Sequence, residues 1–195
     1  MEAINLRTAG SILVPRLLPA NICRFITHGL MVKSALQTPE TDAQVPAAPS
    51  FYADNLTECL LERIWPVVES ATGTELIPTY SYARVYHNGD VLEPHTDRES
   101  CEVSVTLQLG RSHHYSWPIY MGDRRYDLAE GDAIIYSGCD VKHWREVCAG
   151  PGNYYSAQVF LHYVRATGPY AEHATDKRFT HNPFVRNRIS DMESK

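Results

Sequence analysis

Hydrophobic positions follow two different periods on either side of Gly73. Before it, residues 11 to 18 (SILVPRLL) form a short apolar run with the character of a strand, and Pro19 with Asn21 opens an amphipathic stretch to about Ser34 that predicts a helix. From Gln37 to Ser50 the chain turns to Pro, Ala, Thr and Asp without periodicity, which predicts a loop or lid. Asp54 or Asn55 can then cap a second helix carrying Leu56, Leu60, Leu61, Ile64 and Val68 on one face and ending near Gly73, with Pro66 expected to kink it or start a new turn. After Gly73 the period shortens to two, and the runs 76–86, 101–109, 116–121, 132–137, 141–147 and 154–164 are rich in β-branched and aromatic residues.

Helices followed by many short strands predict a mainly β (α+β) architecture, a closed or sandwich-like antiparallel β-barrel buttressed on one side by helices. The expected organisation is a single domain over 1–195. It divides into an N-terminal strand with supporting helices (1–75), a β core (76–164) and a polar tail (165–195) with Lys177, Arg178, Arg186 and Arg188. Because strand side chains alternate, the series Tyr80, Tyr82, Arg84, Tyr86 shares one face, as do Ser104, Thr106, Gln108 and Tyr154, Ser156, Gln158, Phe160. Turned inward, these series make a partly polar interior.

Composition narrows the class of protein without naming a function. Hydrophobic content of 44% and charged content of 21% are those of a soluble globular chain, and no apolar run approaches the ~18 residues of a membrane span. The first segment has Glu2 and is broken by Pro15 and Pro19, unlike a secretory signal, so a cytoplasmic location is expected. The five cysteines are odd in number and contain no CxxC, which argues against a disulfide framework and a thiolate zinc site. A net charge of −5 argues against a nucleic-acid partner.

The candidate chemistry lies at a turn. His95 and Asp97 stand two apart after a strand-like run, so an imidazole and a carboxylate can reach one ion, and His143 within DVKHWRE supplies a third ligand. Two His and one carboxylate cover one face of an octahedral ion and leave three positions open, which suits Fe(II) that must take a chelating cosubstrate and dioxygen together. Structural zinc more often closes with four protein ligands.

The run Tyr86-His87-Asn88-Gly89-Asp90-Val91-Leu92-Glu93-Pro94-His95-Thr96-Asp97 resembles the iron and 2-oxoglutarate dependent oxygenases of the prolyl 4-hydroxylase type, whose core has Tyr, a Gly three residues on, then Pro-His-x-Asp. The resemblance continues through Ser104–Leu109, Gly131–Tyr136, His143, Gly152-Asn153 and the last strand, and so covers residues 76–164. It implies a double-stranded β-helix, the cupin-like jelly roll, with two supporting N-terminal helices. The expected cofactors are Fe(II) on His95, Asp97 and His143, 2-oxoglutarate as cosubstrate, and O2. Tyr86 matches a tyrosine that contacts 2-oxoglutarate in the family, and Thr106, Gln108, Tyr154 and Ser156 are further candidates for the cosubstrate.

One family feature is missing. The residue after Gly-Asn is basic in the family and pairs with the distal carboxylate of 2-oxoglutarate, whereas here it is Tyr154. A buried carboxylate needs a compensating cation. Arg145 shares a strand face with His143 and is favoured for that role, and Arg84 is the substitute or a substrate contact. Arg98, the loop 37–50 and Trp117-Pro118 are candidates for a substrate mouth, while His87, His113, His114 and His162 match no ligand position. The implied activity is hydroxylation, or desaturation or cyclisation by the same oxidant, of a small metabolite or amino acid with release of succinate and CO2. A peptide or protein side-chain substrate, or a non-catalytic metal-binding jelly roll, is the alternative.

Overall fold

Residues 6–37 and 40–177 are described in the computed structural model. The expected tail therefore continues as far as residue 177, and Arg178, Arg186 and Arg188 lie outside the described residues. A single helical turn α1 (Leu6–Ala9) and a short strand β1 (Ser11–Val14) lead into helix α2 (Ala20–Leu36), and helix α3 spans Asn55–Thr72. The Asp54 side chain caps α3 by accepting from the Leu56 N–H at 3.0 Å, and Gly73 ends it in the left-handed region at φ 63°. The helix runs through Pro66 as one element. Burial of Leu60, Leu61, Ile64, Trp65 and Val68 on one face outweighs the ~3 kcal/mol that an interior proline costs.

The remaining strands are β2 (Ser50–Tyr52), β3 (Leu76–His87), β4 (Leu92–His95), β5 (Val103–Arg111), β6 (Ile119–Met121), β7 (Arg124–Tyr126), β8 (Ala133–Ser137), β9 (His143–Arg145) and β10 (Tyr155–Arg165). They form two antiparallel sheets, one ordered β1-β8-β5-β10-β3-β2 and the other β4-β9-β6-β7. The two stack as the sandwich of a double-stranded β-helix. The expected run 116–121 shortens to 119–121, since Pro118 has no N–H to give a ladder, and 141–147 shortens to 143–145. Strands β2, β4 and β7, of three or four residues each, were too short to show a period in the sequence.

Parity sorts the large sheet into an apolar and a polar face. Val103, Val105, Leu107 and Leu109 of β5, with Ala157, Val159, Leu161 and Tyr163 of β10, join one core with Ile26, Leu30, Leu61 and Trp65 of the helices. Each such buried aliphatic side chain contributes ~1.5–3 kcal/mol. The opposite face carries Ser104, Thr106 and Gln108, with Ser156, Gln158 and Phe160, and is buried against the small sheet. Cross-strand register stacks this interior in layers: His162 lies between Tyr80 and Ser104, Phe160 between Tyr82 and Thr106, and Gln158 between Arg84 and Gln108. Among the described residues, no helix is long and apolar enough to cross a membrane.

Candidate metal centre

His95 ends β4 and His143 begins β9, and the two are register partners across the small sheet. Asp97 follows β4 and is brought to the same place by the turn after β8, where Gly138 O accepts the Asp97 N–H at 2.8 Å. Only glycine fits at that turn: a Cβ on Gly138 would lie 2.2 Å from Cys101 O and 2.7 Å from Asp97 Oδ2. The ligand atoms of His95, Asp97 and His143 all lie within 4.8 Å of one another. Asp97 Oδ1 is 3.8 Å from His95 Nε2 and 3.5 Å from His143 Nε2.

Each ligand is held from behind. His95 Nδ1 is 2.8 Å from Glu93 O and His143 Nδ1 is 3.0 Å from Val141 O. Both carbonyls only accept, so both Nδ1 atoms carry the proton and both Nε2 lone pairs face the centre. Asp97 Oδ2 accepts from Ser104 Oγ at 3.1 Å and Tyr136 OH at 3.3 Å, which leaves Oδ1 for a metal. Burial works to raise the Asp97 carboxyl, but in the metal-free site a protonated His143, through its hydrogen bond and charge, and then His162 and His95, hold it below its ordinary range. Burial, and then the neighbouring His143, lower the pKa of His95. An ionised carboxylate and neutral imidazoles are the forms that bind a metal.

A cavity of about 450 Å³ opens over these ligands. Of the residues expected from the sequence, Tyr86, Arg84 and Arg98 are on its wall. Thr106, Gln108 and Ser156 face inward between the sheets, where Gln108 Nε2 donates to Ser156 Oγ at 3.1 Å and Gln158 Nε2 donates to Gln108 Oε1 at 3.0 Å. Tyr154 packs edge-on against Tyr115 at 5.3 Å in a cluster with Leu92 and Trp117. His113 is away from the centre, 2.9 Å from Asn153 Oδ1. His162, which matched no ligand position, lies on the cavity wall with Nδ1 2.9 Å from Ser104 Oγ. Its place follows from continuing the Ser156, Gln158, Phe160 parity by one step. Asp42, Ala43 and Gln44 reach the wall from the loop 37–50 expected at a substrate mouth, although nothing in the sequence singled out these residues within it.

The two candidate cations differ sharply. Arg84 is engaged, with Nη1 donating to Tyr86 OH at 3.0 Å and Nη2 paired with Asp42. Arg145 is fully buried, and its guanidinium donates only through Nη1 to Trp117 O at 2.6 Å. Its Nε and Nη2 have no partner among the described residues, and neither do Thr106 Oγ1 and Gln158 Oε1. Burial pulls Arg145 down to about 10.

No family model matches the chain, and no curated protein does. Solved structures do. A prolyl-4-hydroxylase from Pseudomonas putida superposes with a TM-score of 0.64 at 16% identity, over 82% of this chain and 95% of that one. An oxidoreductase of the 2OG-Fe(II) oxygenase family from Burkholderia pseudomallei gives 0.62 at 18% identity, over 84% and 88%. The non-heme alpha ketoglutarate dependent epimerase SnoN of nogalamycin biosynthesis gives 0.65 at 13%, over 80% and 78%. SnoN has also been solved with Fe3+, alpha ketoglutarate and nogalamycin RO bound. At these identities what is shared is the fold. The chain has the double-stranded β-helix of the 2OG-Fe(II) oxygenases, with a His-x-Asp…His set at its centre.

Proposed function

We propose that the protein is a non-haem Fe(II) and 2-oxoglutarate dependent dioxygenase that hydroxylates an unactivated carbon of a small metabolite or amino acid. The observation that carries this reading is the orphaned edge of Arg145. Nε and Nη2 form one side of the guanidinium fork, and a buried fork without a carboxylate is costly unless a ligand completes it. Arg145 lies two residues beyond His143 on the same strand face, roughly 7 Å along the strand. On this reading the keto-acid end of the cosubstrate would sit at the metal and its other carboxylate at this guanidinium.

The donor set fits the metal as well. His95 Nε2, His143 Nε2 and Asp97 Oδ1 would hold Fe(II), and two imidazoles with one carboxylate leave the open positions this chemistry needs. With 2-oxoglutarate and O2 the bound iron supplies removal of hydrogen from an unactivated carbon, releasing succinate and CO2. The protein orients and shields. Tyr86 OH, Thr106 Oγ1 and Gln158 are the polar groups of the adjacent layers that would hold the cosubstrate, and Gln108 fixes Gln158 and is itself held by Ser156. A 450 Å³ cavity suits a small molecule.

Anaerobic addition of Fe(II) and 2-oxoglutarate tests the reading. A weak visible charge-transfer band that requires both, disappears in Asp97→Ala, and is followed in air by succinate formation is expected. No band and no succinate would leave a metal-binding jelly roll without this activity.

A further inference from the structure

The cavity over the metal ligands already contains a carboxylate, and the protein supplies it. Asp42 Oδ2 accepts from both Tyr82 OH and Arg84 Nη2, and Nη2 also reaches Gln44 Oε1 at 3.2 Å. Arg84 is a built anion site: its side chain is 3% exposed, and its guanidinium carbon sits 5.4 Å from the ring centres of Tyr82 and Tyr86 and 6.0 Å from that of Phe160. Its Nε has no partner among the described residues.

Asp42 is less firmly placed than the site it fills. Its side chain is 28% exposed, and its neighbours Thr41, Ala43 and Gln44 are exposed. The loop backbone is anchored on both sides of Asp42, by the pairing of Glu40 with Ser50 and by buried Val45 and Ala48 in the cluster around Tyr86 and Trp117. Asp42 Oδ1 accepts the N–H groups of Gln44 at 2.9 Å and Val45 at 3.0 Å, so only the Oδ2 side of the carboxylate faces Arg84 and Tyr82.

The geometry points to Arg84 and Tyr82 as a substrate-carboxylate subsite, with Asp42 as the internal stand-in that a carboxylate of the organic substrate replaces. This assignment rests on the proposed dioxygenase reading and deepens it, by giving the substrate an anionic group that Arg145 does not serve. The selectivity is electrostatic. A neutral ligand that displaced Asp42 would strand a buried guanidinium, at a cost of several kcal/mol, whereas a carboxylate restores the same pair. The other arginine of the wall, Arg98, does not impose this condition, because its side chain is 57% exposed and water can serve it without its partner Asp176 at 2.7 Å.

The test uses the full chain with Fe(II) and saturating 2-oxoglutarate, without oxygen, and compares binding of N-acetylglycine with that of its neutral amide by calorimetry. Asp42→Asn keeps the turn acceptor and removes the competing charge. It should bind N-acetylglycine roughly tenfold or more tighter than the unaltered protein, with no gain for the amide. Arg84→Gln in that background should erase the gain; should that double variant not fold, Tyr82→Phe in the same background should reduce the gain severalfold. Equal binding of the acid by the unaltered protein and Asp42→Asn, or an equal gain for the amide, overturns the subsite. The charge-transfer band is recorded in the same samples. Its presence with no carboxylate effect sinks the subsite alone, and its absence with the carboxylate effect intact sinks the dioxygenase reading instead.

Discussion

The Ser104 hydroxyl stands between Asp97 and His162, 3.1 Å from Oδ2 of the carboxylate and 2.9 Å from Nδ1 of the imidazole. It donates away from the ring, since its other near neighbours, Asp97 Oδ2 and Cys101 O at 3.0 Å, only accept. His162 therefore carries its proton on Nδ1, and Asp97 is aimed by a two-residue relay. Removing the hydroxyl in Ser104→Ala should weaken Fe(II) or Co(II) binding about tenfold or more, the usual scale for a group that orients a ligand. Tyr136→Phe, which removes the longer 3.3 Å bond, should cost less. Metal titration of the two variants checks the order.

Burial, which disfavours the charged ring, lowers the pKa of His162 from 6.5 to about 4. Because the unfolded chain takes up this proton near pH 6.5 and the folded chain only near 4, the metal-free protein should lose stability as pH falls through that window. One such proton gives a slope approaching ~1.4 kcal/mol per pH unit. His162→Gln should flatten the slope without removing it, because His95 is also lowered and acts with the same sign. Denaturant midpoints between pH 7 and pH 4 measure it, and an unchanged slope in the variant contradicts the buried neutral ring.

The His95–Asp97 pair and the inward faces were legible because they are local facts, and His143 joins the pair through the register of β4 and β9. His95 and Asp97 are two apart on one turn, and Ser104, Thr106 and Gln108 alternate with Val103, Val105 and Leu107, so period two separates polar interior from helix-facing core. The loop 37–50 was expected at the mouth, but the pairing of Asp42 with Arg84 was not legible: it spans 42 residues from a loop with no period of its own. The one-helix course of α3 through Pro66 depended on tertiary burial that no local rule weighs. The choice between Arg145 and Arg84 was open for the same reason, since parity turns both inward and only their neighbours differ.

That difference sets the third expectation. In Arg145→Met the 2-oxoglutarate requirement should rise roughly a hundredfold, the scale of removing one partner from a buried charge pair. Arg145→Lys should not restore it, because the ammonium cannot reproduce a two-point fork. Metal affinity without 2-oxoglutarate should hold. The ligand-free protein should be no less stable, because Arg145→Met exchanges an incompletely paired buried cation over Trp117 for an apolar side chain. An unchanged 2-oxoglutarate requirement would transfer the role to Arg84.

Gly138 offers a test of how tightly the centre is built. Its N–H donates to Glu102 O at 3.1 Å and its carbonyl accepts from Asp97, so the turn ties the residue before β5 to the loop that carries Asp97. The Cβ of Gly138→Ala would meet Cys101 O at 2.2 Å, Asp97 Oδ2 at 2.7 Å and Ser104 Oγ at 2.8 Å. The nearest is backbone and cannot rotate away, so the turn itself must shift, at a cost of about 1–3 kcal/mol in stability. Because Asp97 moves with it, metal affinity should fall together with the unfolding midpoint. Gly152→Ala, whose Cβ would meet nothing within 4 Å, is the control and should stay within about 0.5 kcal/mol of the unaltered protein. If Gly138→Ala binds metal as tightly as the control, Asp97 is not held in place by this turn.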